Sequence, residues 1–156
     1  MADCVIATPL GRLLIREDGG TICAIEFTQD ALCPPHTPLL TEAVRQLNAY
    51  FDGTLTDFDL PLRLEGTDFR MRCWQALQTI PFGETISYGE QARRIGQPSA
   101  VRAVGGANHR NPVSIVVPCH RVIGADGALT GYGGGVDKKA WLLAHEKRIR
   151  QQAGDH

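Results

Sequence analysis

Short apolar runs separated by glycine and proline open the chain, and longer runs with helical periodicity follow. Cys4 to Thr8 and Arg12 to Glu17 are partly β-branched segments divided by Pro9-Leu10-Gly11, and Asp18-Gly19-Gly20 leads into Thr21 to Thr28. This pattern predicts an antiparallel meander. After Pro34, Pro35 and Pro38, the residues Leu40, Ala43, Val44, Leu47, Tyr50 and Phe51 recur at the spacing of one helix face. Thr37 suits the cap of that helix, Pro38 its first position and Gly53 its end.

The second half is predicted to be mostly helical. Phe69, Cys73, Ala76, Leu77 and Ile80 form one stripe, with Thr67 as its cap and Pro81-Phe82-Gly83 as its stop, so Cys73 belongs to a core. Ser87-Tyr88-Gly89-Glu90 has the Ser-x-x-Glu form of a capping box and starts a short helix from Tyr88 to Ile95, ended by Gly96. Pro98 suits the first turn of another helix, Ser99 to Asn108, that stops before Asn111-Pro112. Two short helices joined through a glycine make a helix-turn-helix. Gly105 and Gly106 each cost about 1 kcal/mol relative to alanine in a helix interior. Either this helix packs tightly on another, or its bare face docks closely on DNA with Arg102 as a single long probe. A final helix, capped by Asp137, carries Trp141-Leu142-Leu143-Ala144-His145-Glu146.

Composition narrows the class. A chain of 156 residues with 43% apolar content closes a core in one ordinary domain or two small ones, which excludes a disulfide-stapled mini-protein and a disordered tail. No apolar run approaches the roughly 18 residues of a membrane helix, and MADCVIATPLG lacks the pattern of a secretory signal. Five irregularly spaced cysteines without a CxxC pair suit free thiols in the cytoplasm. Cys4, Cys23 and Cys33 have no evident chemical role, and neither Cys23-Cys33-His36 nor His145-Glu146 has metal-ligand spacing, so no metal is expected. The net charge of -1 hides a division. Residues 1–65 hold four Lys/Arg and ten Asp/Glu, whereas residues 66–156 hold twelve and seven. We therefore divide the chain into an N-terminal α/β supporting domain, 1–65, and a C-terminal domain, 66–156, whose positive charge is local enough to meet a polyanion.

Candidate chemistry centres on Cys119. The apolar run Ile115-Val116-Val117 ends at Pro118 and is followed by Cys119, His120 and Arg121. A thiol beside an imidazole is the minimal activated nucleophile, although the dipeptide alone better suits a buried structural cysteine or a stray ligand. Neighbours on a regular strand point oppositely, so either Pro118 marks a bend or a water bridges the pair. Glu146 is placed to orient His120 as the third member of the arrangement.

The stretch Pro118-Cys119-His120-Arg121-Val122, preceded by RAVGGANHRNP and followed by TGYGGG and WLLAHE, resembles the O6-alkylguanine-DNA alkyltransferases. The likeness is close from Gly66 to Lys147 and looser in the first half, through ATPLG and LNAYFDG. It implies an α+β chain: a small N-terminal α/β domain with an antiparallel sheet, then a mostly helical, winged-helix-like domain containing the helix-turn-helix. It implies direct, irreversible transfer of the alkyl group from O6-alkylguanine, and also from O4-alkylthymine, to the protein's own cysteine in one turnover, without cofactor. Cys119 would be the acceptor, His120 its water-mediated base, Glu146 the group orienting His120, Asn111 a brace and Tyr88 a hydroxyl donor to the guanine ring. Arg102 would replace the flipped nucleotide in the stack, with Ser99, Ala103, Gly105 and Gly106 docking in the minor groove of double-stranded DNA. Val122, Tyr132, Gly133 and Lys139 would line the base pocket. Some family members carry serine where this chain has Gly133, which predicts tolerance of alkyl groups larger than methyl. A monomer without membrane contact is expected. Three rivals remain: a protein that only recognises alkylated DNA, a cysteine hydrolase that turns over, and a DNA-binding regulator.

Overall fold

The structure, a computed structural model, describes residues 1–132 and 134–154. Three strands, β1 (Ala2–Thr8), β2 (Gly11–Asp18) and β3 (Thr21–Thr28), form an antiparallel sheet in the order β1-β2-β3. A register shift at Arg16/Glu17 marks a bulge against β3. Isolated bridges meet both outer strands: Val5 pairs with Cys33, Ile22 with Leu62 and Ile25 with Val113. The Val5 N–H donates to the Cys33 carbonyl at 2.9 Å and receives the reciprocal bond at 3.0 Å, so outward-facing backbone groups are satisfied by loop segments.

Helix α1 (Pro38–Asp52) begins where the sequence predicts, with the Thr37 hydroxyl accepting from the Leu40 N–H at 3.1 Å. Gly53 closes it in the left-handed conformation at φ 83°, which glycine adopts without steric cost. Leu40, Ala43, Leu47 and Tyr50 recur on the inward face of α1 and are fully buried, as are Leu13, Ile15, Ile22 and Ile25 of the sheet. Gln46 of the same helix pairs with the Asp59 backbone at 2.8 and 2.9 Å, tying down the chain that follows the helix.

Two compact units result. The first comprises Met1–Leu64 together with Pro112–Val116; the second comprises Glu65–Asn111 and the chain from Val117 onward. In the second, α2 (Asp68–Leu77), α3 (Tyr88–Arg94) and α4 (Val101–His109) enclose a small core of Cys73, Ala92, Val104 and Ala107, with Phe69, Tyr88 and Ile95 packed against it. Thr67 and Ser87 cap α2 and α3 as expected, accepting from the N–H groups of Arg70 at 3.2 Å and Glu90 at 3.0 Å. The chain is α+β, and α3 and α4 form the helix-turn-helix around Gly96 at φ 79°. Two boundaries are later or earlier than the pattern suggests. Helix α2 ends at Leu77, and Gln78, Thr79 and Ile80 continue as turns. Helix α4 starts at Val101 because Ala100 closes a turn on the Gln97 carbonyl at 2.9 Å. A two-residue parallel ladder joins β4 (Ile86–Ser87) to β5 (Val122–Ile123). The last helix, α5 (Val136–Gly154), starts one residue before Asp137, which sits inside its first turn.

Candidate active site

Cys119 and His120 lie in a tight turn and not on a strand. Pro118, at φ -85° and ψ 66°, leads into a single 3-10 turn, Cys119–Arg121, in which the Arg121 N–H donates to the Pro118 carbonyl at 3.0 Å. The turn replaces strand alternation, so successive side chains no longer point to opposite faces. Immediately after it, Val122 pairs with Ile86 and Ile123 with Ser87. That ladder sets the start of α3, and with it Tyr88, beside the end of the nucleophile turn.

The Asn111 amide donates to the Val117 carbonyl at 2.7 Å and to the Cys119 sulfur at 3.4 Å, bracing the turn from the segment after α4. His120 is fully buried, and its Nε2 lies 2.7 Å from Glu146 Oε2. Arg121 holds the same carboxylate through Nε at 2.8 Å and Nη2 at 3.1 Å, while its Nη1 donates to the Ile80 carbonyl at 2.7 Å. The Gly83 N–H adds a further donor to Glu146 Oε1 at 3.1 Å, and the Phe82 ring lies 5.7 Å from the guanidinium carbon.

These contacts and the burial of the groups bias their protonation in opposite ways. Burial pushes the Glu146 carboxyl up, but the hydrogen bonds and charges of His120 and Arg121 outweigh it and hold the group ionised, well below the usual carboxylate range. Burial holds the His120 imidazole below its ordinary value, against the opposing pull of Glu146. An ionised carboxylate only accepts, so a neutral His120 donates Nε2–H to it and keeps a lone pair on Nδ1. Nδ1 is buried without a hydrogen-bond partner among the described residues. Burial also pushes the Cys119 thiol up, with the Asn111 hydrogen bond and the Lys139 charge acting the other way. Both shifts favour the neutral form, a thiol at Cys119 and an imidazole at His120. The remaining cysteines lie elsewhere: Cys4 and Cys73 are buried, and burial pushes the Cys4 thiol up to about 11.

A second polar group adjoins the first. Lys139 is 1% exposed, and its ammonium donates to the Thr130 carbonyl at 2.8 Å and to the Tyr88 hydroxyl at 3.3 Å. Tyr88 in turn donates to the Thr130 carbonyl at 3.1 Å. The Lys139 charge acts on both Cys119 and His120, so the two groups share one electrostatic environment. Val122 and Tyr132 are buried. Gly133, expected in the pocket, lies outside the described residues.

The residues expected to meet DNA occupy a different place, the outer face of α4 and its approach. Ser99, Arg102, Ala103 and Gly106 are exposed, and Gly105 is half-buried. A side-chain carbon added at Gly106 would meet no atom within 4 Å, and one at Gly105 would reach only the Tyr88 ring, at 3.8 Å. Packing inside the protein therefore gives no reason for either glycine.

Arg121 is the residue that sequence reasoning passed over. Its signal was present as a cation inside an apolar turn next to the reactive pair, where a buried guanidinium needs a buried anion. Among the described residues no cluster of three His, Cys, Asp or Glu side chains is arranged to hold a metal ion, and no helix is long and apolar enough to cross a membrane.

The chain matches known proteins over most of its length. Residues 68–148 match the profile described as 6-O-methylguanine DNA methyltransferase, DNA binding domain, and residues 3–64 match its ribonuclease-like domain. The chain is 51% identical over 148 residues to the methylated-DNA–protein-cysteine methyltransferase of Mycobacterium bovis, covering 91% of this chain and 90% of the relative. The Methanosarcina barkeri protein of the same name is 59% identical over 150 residues, covering 92% and 95%. Among solved structures, the Mycobacterium tuberculosis O6-methylguanine methyltransferase superposes with a TM-score of 0.86 at 49% identity, covering 94% of this chain and 93% of that one. A structure of the Mycobacterium tuberculosis protein in complex with DNA matches with a TM-score of 0.86 at 51% identity, covering 93% and 92%.

Proposed function

The chain belongs to the 6-O-methylguanine DNA methyltransferase family, and on that premise we propose that Cys119 is the residue on which its reaction ends. Its activity is that of a methylated-DNA–protein-cysteine methyltransferase: it binds DNA and repairs it by moving an alkyl group to a cysteine of its own. The observation that carries the assignment of Cys119 is the bond of the following residue, the fully buried His120, through Nε2 to Glu146 Oε2 at 2.7 Å, which leaves Nδ1 without a hydrogen-bond partner among the described residues.

In the proposed reaction the thiol proton passes through one water to His120 Nδ1 as Cys119 Sγ attacks the alkyl carbon. The carbon–sulfur bond forms while the carbon–O6 bond breaks, leaving a thioether on the protein and a guanine anion that becomes unmodified guanine by taking up one proton at its ring nitrogen, in net the proton the thiol gave to His120. Negative charge moves into the guanine ring, where the Tyr88 hydroxyl, polarised by the Lys139 ammonium, donates a hydrogen bond. Glu146, held by Arg121, stabilises the imidazolium formed meanwhile. A thioether is not a leaving group for water under these conditions, so each chain reacts once. The same displacement serves O4-alkylthymine.

The base must leave the stack to reach Cys119. The small outward face of α4 supports close docking in the minor groove, with Arg102 filling the space of the extruded nucleotide. A monomer suffices, because every group invoked comes from one chain. Free thiols and the lack of any expected disulfide suit the cytoplasm.

Intact mass after mixing with excess duplex containing O6-methylguanine tests the assignment. One added methyl per chain, mapped to the peptide of Cys119, is expected, with repair stopping at one equivalent. Methyl on another cysteine, or product beyond one equivalent with unmodified protein, refutes it.

A further inference from the structure

The last turn of α4 is anchored by polar contacts that its first turn lacks. At the start, Ala100 supplies no side-chain cap, and Val101 and Arg102 are exposed. Near the end, the Asn108 amide and the Gln91 amide of α3 form a closed pair: Gln91 Nε2 donates to Asn108 Oδ1 at 2.9 Å, and Asn108 Nδ2 donates to Gln91 Oε1 at 2.7 Å. Gln91 Nε2 also reaches the Cys73 carbonyl of α2 at 3.2 Å, and the Trp74 indole N–H donates to the Ala107 carbonyl at 2.9 Å. Gln91 is 0% and Asn108 4% exposed, so neither amide has water as a substitute partner.

We propose that the Gln91–Asn108 pair is a positioning device that sets the rotation of α4 about its own axis and so aims Arg102 and the glycine face outward. The apolar contacts under this helix come from Val104, Ala107, Ala92 and Cys73, with Phe69, Tyr88 and Ile95 packed against them, and such contacts are non-directional and give way gradually as a helix turns. Directional bonds between two planar amides do not have that latitude, because turning α4 breaks both at once. Asn108 lies about 200° round the helix from Gly106 and about 120° from Arg102. Fixing Asn108 inward therefore fixes Gly106 and Arg102 outward. Gln91 belongs to the helix that starts at Tyr88, so the pair also sets the docking face in register with the hydroxyl assigned to the base. An apolar pair of the same size would fill the volume but leave the rotation to the Trp74–Ala107 bond and the apolar contacts. Buried polar pairs are known to specify register in this way at some cost in stability.

The proposal rests on the reading of the chain as a DNA alkyltransferase with α4 as its docking helix, and the test keeps the two apart. Single-turnover rate constants are measured with a duplex containing O6-methylguanine and with free O6-benzylguanine, for the native chain, for Gln91→Leu/Asn108→Leu, and for the exchanged pair Gln91→Asn/Asn108→Gln. If the native chain reacts with neither substrate, the alkyltransferase reading fails. If it reacts with both, the double-leucine chain is expected to keep its thermal midpoint, to keep its free-base rate within twofold, and to lose at least tenfold on the duplex. The exchanged pair is expected to stay within threefold of native on the duplex. Retained duplex rate in the double-leucine chain, a parallel fall on both substrates, or failure of that chain to fold each overturns the proposal. So does an exchanged pair that folds normally yet loses the duplex reaction alone.

Discussion

Replacing Gly106 by alanine separates two reasons for a glycine in the middle of a helix. In α4 the new methyl group meets no atom within 4 Å, so the free protein accommodates it without strain. Removing a helical glycine restricts the unfolded chain and should stabilise the fold by about 0.5–1 kcal/mol, which raises Tm by about 1–4 °C in a protein of this size. In the proposed docking on DNA the same methyl would occupy space that the docked surface needs. Overpacking of a close interface costs about 1–3 kcal/mol, equivalent to a rise in Kd of about 5- to 150-fold. Binding is measured by fluorescence anisotropy at fixed salt on a duplex containing O6-methylguanine, with Cys119→Ser in both proteins so that no reaction intervenes. Expected together are a higher Tm, weaker duplex binding and, in the chain retaining Cys119, an unchanged rate with free O6-benzylguanine. Unchanged duplex affinity would refute the docking role, and a lower Tm would mean that the fold itself needs the glycine.

Three further outcomes follow from the site. Arg102→Ala should slow repair of duplex DNA more than reaction with a free alkylguanine base, since only the duplex requires extrusion; equal slowing would discredit the probe. Glu146→Gln leaves the buried Arg121 without its anion and should cost about 3–5 kcal/mol in urea unfolding, whereas a loss below about 1 kcal/mol would contradict the buried pair. His120 sits below its ordinary value of 6.5 in the fold, so its contribution is complete above pH 6.5 and declines as pH falls through the lowered folded value. Glu146, also depressed, adds a loss of the same sign below its ordinary 4.5. Tm should therefore fall on acidification from pH 6.5, and His120→Gln should flatten the upper part of that slope; an identical slope would count against the buried neutral imidazole.

Local chemistry was the legible part of this fold. Thr37, Thr67 and Ser87 each cap the helix expected of them, because a hydroxyl three residues before a free N–H acts within one turn. Helix α1 likewise buries the stripe read from its spacing. What escaped is non-local. The ladder of Ile86–Ser87 with Val122–Ile123 joins two-residue strands far apart in sequence, too short for any periodicity. Ile115-Val116-Val117 looks like a strand leading straight to the nucleophile, yet Ile115 turns at φ 73° and residues Pro112–Val116 belong to the first unit. The tautomer of His120 needed Arg121, and only the folded chain shows that this cation shares the Glu146 carboxylate with the imidazole.

The bridges along the sheet bear on how the protein behaves when it accumulates. Strands with open edges recruit strands from other copies, and a three-stranded sheet has two such edges. Here Cys33 interrupts one edge at Val5, while Leu62 and Val113 interrupt the other at Ile22 and Ile25. A foreign strand finds no long continuous row of donors and acceptors to zip against. That arrangement is a guard against fibrous aggregation built from backbone alone.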